Sequence, residues 1–244
     1  MKKDSETGNT INISNFDELR KRCEAIGEKY KPSNEDITLE ALAKRHAEAV
    51  LAQEAVKEAA SDLKRKGNER RVAFSVIKPL ATRIVHALGC TKAIPGLVRS
   101  MRSIVHKIRG TRVKPIAKPD PVSTDPNAKQ NTHSVSHQGF TMMIDHVEDM
   151  VALLEVIPEY QPNEEDLQIT ALTSLIADLK AKDEAASNSE NTMNNTRDLR
   201  DTILYAPGTG LVDIAAIVKS YTRSIGAKEY KSVSSIPFRN KDED

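Results

Sequence analysis

One eight-residue stretch occurs twice, and it limits what this chain can fold into. Tyr30-Lys31-Pro32-Ser33-Asn34-Glu35-Asp36-Ile37 is echoed by Tyr160-Gln161-Pro162-Asn163-Glu164-Glu165-Asp166-Leu167. Between 30–42 and 160–172, six of thirteen aligned positions are identical. Each copy reads as the start of a helix. Ser33 and Asn163 serve as N-caps for the backbone N–H groups that a first turn leaves unpaired. Asp36 and Asp166 stand where a capping-box acid reaches back to the cap, and the acids beside them face the positive end of the helix dipole. Two such starts predict two long helices and a duplicated architecture, and they carry no chemistry of their own.

Composition points the same way. Aromatic residues make up 4% of the 244-residue chain and there is no Trp, so a core must be built from Leu, Ile, Val and Ala, which suits closely packed helices. The chain length allows one large or two modest domains. Cys23 and Cys90 have no metal-ligand spacing and read as reduced, small apolar side chains in a cytoplasmic protein. The polar opening Met1-Lys2-Lys3-Asp4-Ser5-Glu6 holds no signal-like apolar region, and no run approaches the roughly 20 apolar residues of a membrane span.

Along the chain, residues 1–13 read as a disordered polar terminus, 14–110 as the first helical repeat, 111–137 as a Pro-rich linker, 138–238 as the second repeat and 239–244 as a disordered charged tail. The first repeat opens with a helix at about 14–28, with Phe16, Leu19, Cys23 and Ile26 at helical spacing. Its long helix starts at Ser33 and keeps its period through Leu42, Val50, Val56 and Leu63. Gly67 is a local weak point, after which Val72, Val76 and Ile77 resume the stripe and Pro79 marks an end or kink. A further helix begins near Pro95, with Leu97, Val98, Met101, Ile104, Val105 and Ile108 inward. The second repeat opens with 140–157 and has its long helix at 163–205. There, 183–195 is small and polar, either exposed helix or loop, and the lack of Gly or Pro favours helix. Thr209 reads as the cap of a helix at 210–225, and 227–238 as an extended segment laid on the bundle.

The paired Tyr-x-Pro-x-x-Glu starts, Leu80-Ala81-Thr82-Arg83, Lys107-Ile108-Arg109-Gly110, Leu204-Tyr205 with Thr209-Gly210-Leu211-Val212, and Glu229-Tyr230-Lys231 resemble a family of uncharacterised bacterial helical proteins, over about 14–238. The resemblance implies a duplicated all-α fold and no assigned reaction. The polar 183–195 stretch departs from that pattern.

Charge is uneven. Residues 61–118 hold fifteen Lys or Arg against Asp62 and Glu69, whereas 119–244 hold eleven against twenty-one Asp or Glu. Attraction between the two parts accounts for this as readily as an external anionic partner. Within the basic region, Arg99, Arg102, His106 and Arg109 fall on one helix face, opposite the apolar stripe. They are the candidate anion or nucleic-acid face, although no aromatic residues interleave as stacking platforms. His133 and His137 have a zinc-like spacing but no third ligand placed by sequence. The acidic groups Glu35/Asp36, Glu164/Glu165/Asp166 and Asp183/Glu184 are explained by capping or by a solvated face, and Gly208-Thr209-Gly210 by helix capping.

The sequence therefore predicts an all-α, elongated bundle of two pseudo-repeats, each a long-helix hairpin. It predicts a non-enzymatic scaffold or protein–protein interaction protein with no cofactor and no metal, which binds a protein partner or itself. The alternative is a nucleic-acid-binding protein using the basic 64–118 region.

Overall fold

A computed structural model describes residues 6–110 and 139–241. The expected linker at 111–137, with His133 and His137, lies outside the described residues. Every regular element among the described residues is helical, and there is no strand.

The chain forms two compact units, which cut across the two sequence copies: one holds Met1–Lys64 with Asn188–Asp244, the other Arg65–Ser187. Two 37-residue helices, α2 (Leu39–Ser75) and α6 (Ile169–Tyr205), contribute to both. At 1.5 Å per residue each is about 55 Å long. Inward positions recur every seven residues, Leu42, Ala49 and Val56 in α2 and Leu172, Leu179, Ala186, Met193 and Arg200 in α6, with Leu204 also fully buried near the end of α6. That spacing keeps one narrow seam turned inward over many turns. It also explains why 183–195 is helix. Ala186, Ser189 and Met193 supply the seam with small or flexible side chains, and the polar remainder faces water.

The start turns differ from the expected caps. A 3₁₀ turn, Glu35–Ile37, precedes α2; Asn34 caps it by accepting from the Asp36 N–H at 2.9 Å, and Thr38 Oγ1 then accepts from the Ala41 N–H at 3.2 Å. A matching turn, Glu165–Leu167, precedes α6 with Glu164 at the cap and no side-chain bond. Ser33 and Asn163 therefore do not cap the long helices. Each turn is held from within. Tyr30 Oη donates to the Ile37 carbonyl at 2.7 Å and Tyr160 Oη to the Leu167 carbonyl at 2.9 Å, with both tyrosines buried.

In the first unit, α1 (Glu6–Ile26) begins well before residue 14, so 6–13 is helix and not disordered terminus. Asn9, Asn12 and Ile13 are buried there. The α1 face Phe16, Leu19 and Cys23 packs with Tyr30, Ile37, Leu42 and, from α7 (Leu211–Ile225), Leu211, Ile214, Ala215 and Val218. Gly210, not Thr209, is the N-cap of α7. The expected extended segment after it is mostly helix, α8 (Ala227–Ser234), followed by a non-helical tail.

In the second unit, the last part of α2 leads into α3 (Ile77–Gly89) through a break at Val76. Pro79 has no N–H to offer the Ser75 carbonyl, which is the physical cause of the break. Val72 and Val76 do not continue the inward stripe: they are 70% and 47% exposed, and Phe74, Ile77, Ala81, Ile84 and Leu88 take the core. α4 (Pro95–Arg109) and α5 (Phe140–Glu155) add Met101, Val105 and Ile108, and Met143, Val147, Met150 and Leu154.

Candidate anion-docking surface

α4 opens on Pro95, whose missing N–H costs nothing in a first turn, and closes at Gly110 with φ 70°, a left-handed conformation that glycine adopts without a Cβ clash. Between them, the buried Met101, Val105 and Ile108 fix the helix rotation in the core of the second unit. With that face pinned inward, Arg99, Arg102, His106 and Arg109 are exposed together with Lys107. The sequence placed these four residues on one face, and the structure brings them together there.

The surroundings sharpen the charge. From Arg70 to Gly110 there is no Asp or Glu, so neither α3 nor α4 carries a carboxylate of its own. His106, Lys107 and Arg109 also lie in the last turn, where cations complement the helix dipole, so part of their presence is a helix-end effect. Arg99 and Arg102 stand in the middle of the helix, beyond that effect, and neither makes an ion pair among the described residues. Arg109 donates to Thr82 Oγ1 on α3, which steadies one end of the face.

Other basic residues of the region are answered internally. Arg83 forms a two-pronged pair with Asp166, the Arg83 guanidinium holding that carboxyl below its ordinary range. Arg70 pairs with Asp183 at 2.9 Å and lies 4.1 Å over the Phe140 ring. Glu69 takes Arg65 at 2.8 Å and Lys182 at 3.3 Å. The basic middle therefore divides: Arg65, Arg70 and Arg83 are paired with carboxylates within the unit, whereas Arg99 and Arg102 on α4 are not. Arg112, Lys114 and Lys118 lie outside the described residues.

Of the acidic groups weighed as catalytic, two carboxylates are held in ion pairs and one residue is held through its main chain. Asp166 and Asp183 serve Arg83 and Arg70, and Asp36 belongs to the Asn34 turn. At Gly208-Thr209-Gly210, the Gly208 N–H is taken by the Asp213 carboxylate at 2.7 Å and Arg45 donates to the Thr209 carbonyl. An N–H that an anion would need is thus already bonded. Cys23 is buried and Cys90 exposed, and both are free thiols. His46 sits 3.8 Å from Asp17. The described residues hold no cluster of three or more His, Cys, Asp or Glu side chains placed to bind a metal ion.

Leu39–Gly89 contains an 18-residue window that meets the length and apolarity of a membrane span, 28% of it buried. Core-facing stripes such as Ile77, Ala81, Ile84 and Leu88 produce the same signature in a packed helix.

Sequence reasoning missed the polar cluster of the first unit, because it assigned 1–13 to a disordered terminus. There Arg200 is 1% exposed and pairs with Asp201 at 2.7 Å. Lys241 reaches the same carboxylate at 2.9 Å. With its amide turned to satisfy its neighbours, Asn9 accepts from Arg200 at 3.0 Å and donates to Tyr205 Oη at 2.6 Å. The legible signal was Ile13 and Phe16 at helical spacing, which extends the helical pattern back past Ser14.

Comparison with protein-family models, curated proteins and solved structures finds no match at a significant level.

Proposed function

We propose that this chain is a non-enzymatic helical scaffold, built as two related units, that docks an acidic partner protein on the cationic face of α4. The observation that carries the reading is the pair Arg99 and Arg102: exposed, mid-helix, unanswered by any ion pair among the described residues and set in a stretch without carboxylates. Charge kept at a surface while neighbouring Arg70 and Arg83 are neutralised fits an external counterpart. Arg99, Arg102 and Arg109, with His106 among them, follow one line about 15 Å long, which matches the exposed stripe of an acidic helix.

The duplication belongs to the same reading. One unit combines the start of the first copy with the end of the second, and the other unit does the reverse. The Tyr30 and Tyr160 bonds correspond. So do Arg70 and Arg200, each four heptads beyond the first seam leucine of its helix, Leu42 or Leu172. The scaffold is then one helical plan used twice, with α4 decorating one of the two.

Nucleic acid is the second reading, favoured by the acid-free run around the arginines. It ranks lower because α4 presents no aromatic platform. The test is capture of partners from the source cell by the full chain and by Arg99→Glu/Arg102→Glu, beside titration with generic duplex DNA and RNA at several salt concentrations. The scaffold reading expects a stoichiometric acidic protein that the charge-reversed chain does not retain. Salt-dependent nucleic-acid binding lost on reversal shifts the assignment to the second reading. Capture of the same proteins by both chains, with no nucleic-acid binding, overturns both.

A further inference from the structure

The chain's own tail is seated on the first unit in a manner that does not depend on its sequence alone. Three side chains from two helices reach main-chain atoms of 236–239. Asn12 on α1 engages both polar groups of Arg239, its Nδ2 donating to the carbonyl at 2.9 Å and its Oδ1 accepting from the N–H at 3.0 Å. Asn15 donates to the Pro237 carbonyl at 2.7 Å. Lys219 on α7 donates to the Ile236 carbonyl at 2.5 Å. The Asn12 pair reproduces what a neighbouring strand would offer an extended peptide.

Two apolar anchors add selectivity. Ile236 is 3% exposed and enters the core formed by Val233, Val218 and Leu211. Phe238 packs against the same core, with the Lys219 ammonium 5.1 Å from its ring centre. Pro237 between them restricts the backbone to extended or turn geometry. Asn12 is itself fully buried and held by Tyr205 Oη at 3.2 Å, so the seat's central reader is positioned from below by α6.

We infer that the α1–α7 seat is an acceptor for extended peptides of the form aliphatic-Pro-aromatic, filled in cis by residues 235–241 and able to take the same segment of a second copy. The main-chain contacts and both anchors are as available to a segment arriving in trans as to the chain's own. The cis tail competes at an effective concentration on the order of millimolar, so trans binding emerges when the cis tail is weakened.

The experiment uses the full chain with Ile236→Asp/Phe238→Ala, which disables the tail and leaves the seat intact. The probe is a fluorescent synthetic peptide of residues 235–241. The expected result is binding at least tenfold tighter than to the unaltered chain, reduced at least tenfold again by adding Asn15→Ala/Lys219→Ala, and absent for a peptide carrying Ile236→Asp. Mixing the tail-disabled chain with a chain carrying only Asn15→Ala/Lys219→Ala is expected to give a 1:1 complex by light scattering. Should the double variant lose its helical circular dichroism, Phe238→Ala alone carries the same comparison. A helical tail-disabled chain that binds the peptide no better than the unaltered chain overturns the inference.

Discussion

At the residue scale, the two buried tyrosines are the clearest case of a side chain doing a backbone's work. Tyr30 and Tyr160 each satisfy a carbonyl at the end of a 3₁₀ turn, where helix bonding has not yet begun. Tyr30→Phe or Tyr160→Phe leaves that acceptor without its donor and is expected to cost about 1–2 kcal/mol, read from urea unfolding midpoints at constant slope. An unchanged midpoint would show that water replaces the phenol. The same residues set an alkaline limit. Burial pushes the Cys23 thiol up to about 11, Tyr160 to about 12 and Tyr30 above the ordinary phenol range. In each case the unfolded chain gives up its proton first. The stability is present below about pH 9 and falls as pH rises through the folded-state values. The urea midpoint is expected to drop steadily between pH 9 and 11; a flat profile would contradict it. On the acid side, Asp17 is held low by its bond to Lys21 against the opposing effect of burial. Asp201 is raised by burial but held low on balance by Lys241 and Arg200. Their contribution is present above about pH 4 and lost below it.

At the scale of elements, most helices were legible because their signals are local: Pro95, Gly89, the Gly226 stop and the apolar stripes of α4 and α5. The errors have separate causes. A 3.6-residue stripe placed Val72 and Val76 inward, whereas buried positions of the long helices recur at a seven-residue spacing. The start turns were read as simple caps because a 3₁₀ turn and an N-cap use the same residue types. For α4, the sequence put Arg99, Arg102, His106 and Arg109 opposite the apolar stripe, and all four are exposed. It could not separate them from Arg70 and Arg83, whose carboxylate partners are distant in the chain. Two glycines give opposite predictions. A Cβ on Gly210 would lie 2.6 Å from the Ala206 nitrogen and 2.8 Å from the Leu204 carbonyl oxygen, both backbone atoms. Gly210→Ala is therefore expected to destabilise by about 2–3 kcal/mol. Gly67 lies inside α2 with open space where a Cβ would go, so Gly67→Ala is expected to stabilise by about 0.5–1 kcal/mol. Thermal unfolding of the two variants in parallel checks both signs.

At the scale of the molecule, chain order misleads. The sequence divides naturally at 111–137, but the compact units join 1–64 with 188–244 and enclose 65–187. The paired start turns were visible in the sequence, whereas the grouping of 1–64 with 188–244 depends on contacts between residues far apart in the chain. Because α2 and α6 belong to both units, unfolding is expected to be a single cooperative transition, seen as coincident circular dichroism and fluorescence-label curves. The most direct measurement is cleavage at a protease site inserted within 111–138, followed by size-exclusion chromatography with light scattering. Both fragments contribute to both units, so they are expected to stay together as one complex with the mass of the intact chain and to melt together. Two fragments that separate, each remaining helical on its own, would contradict the account.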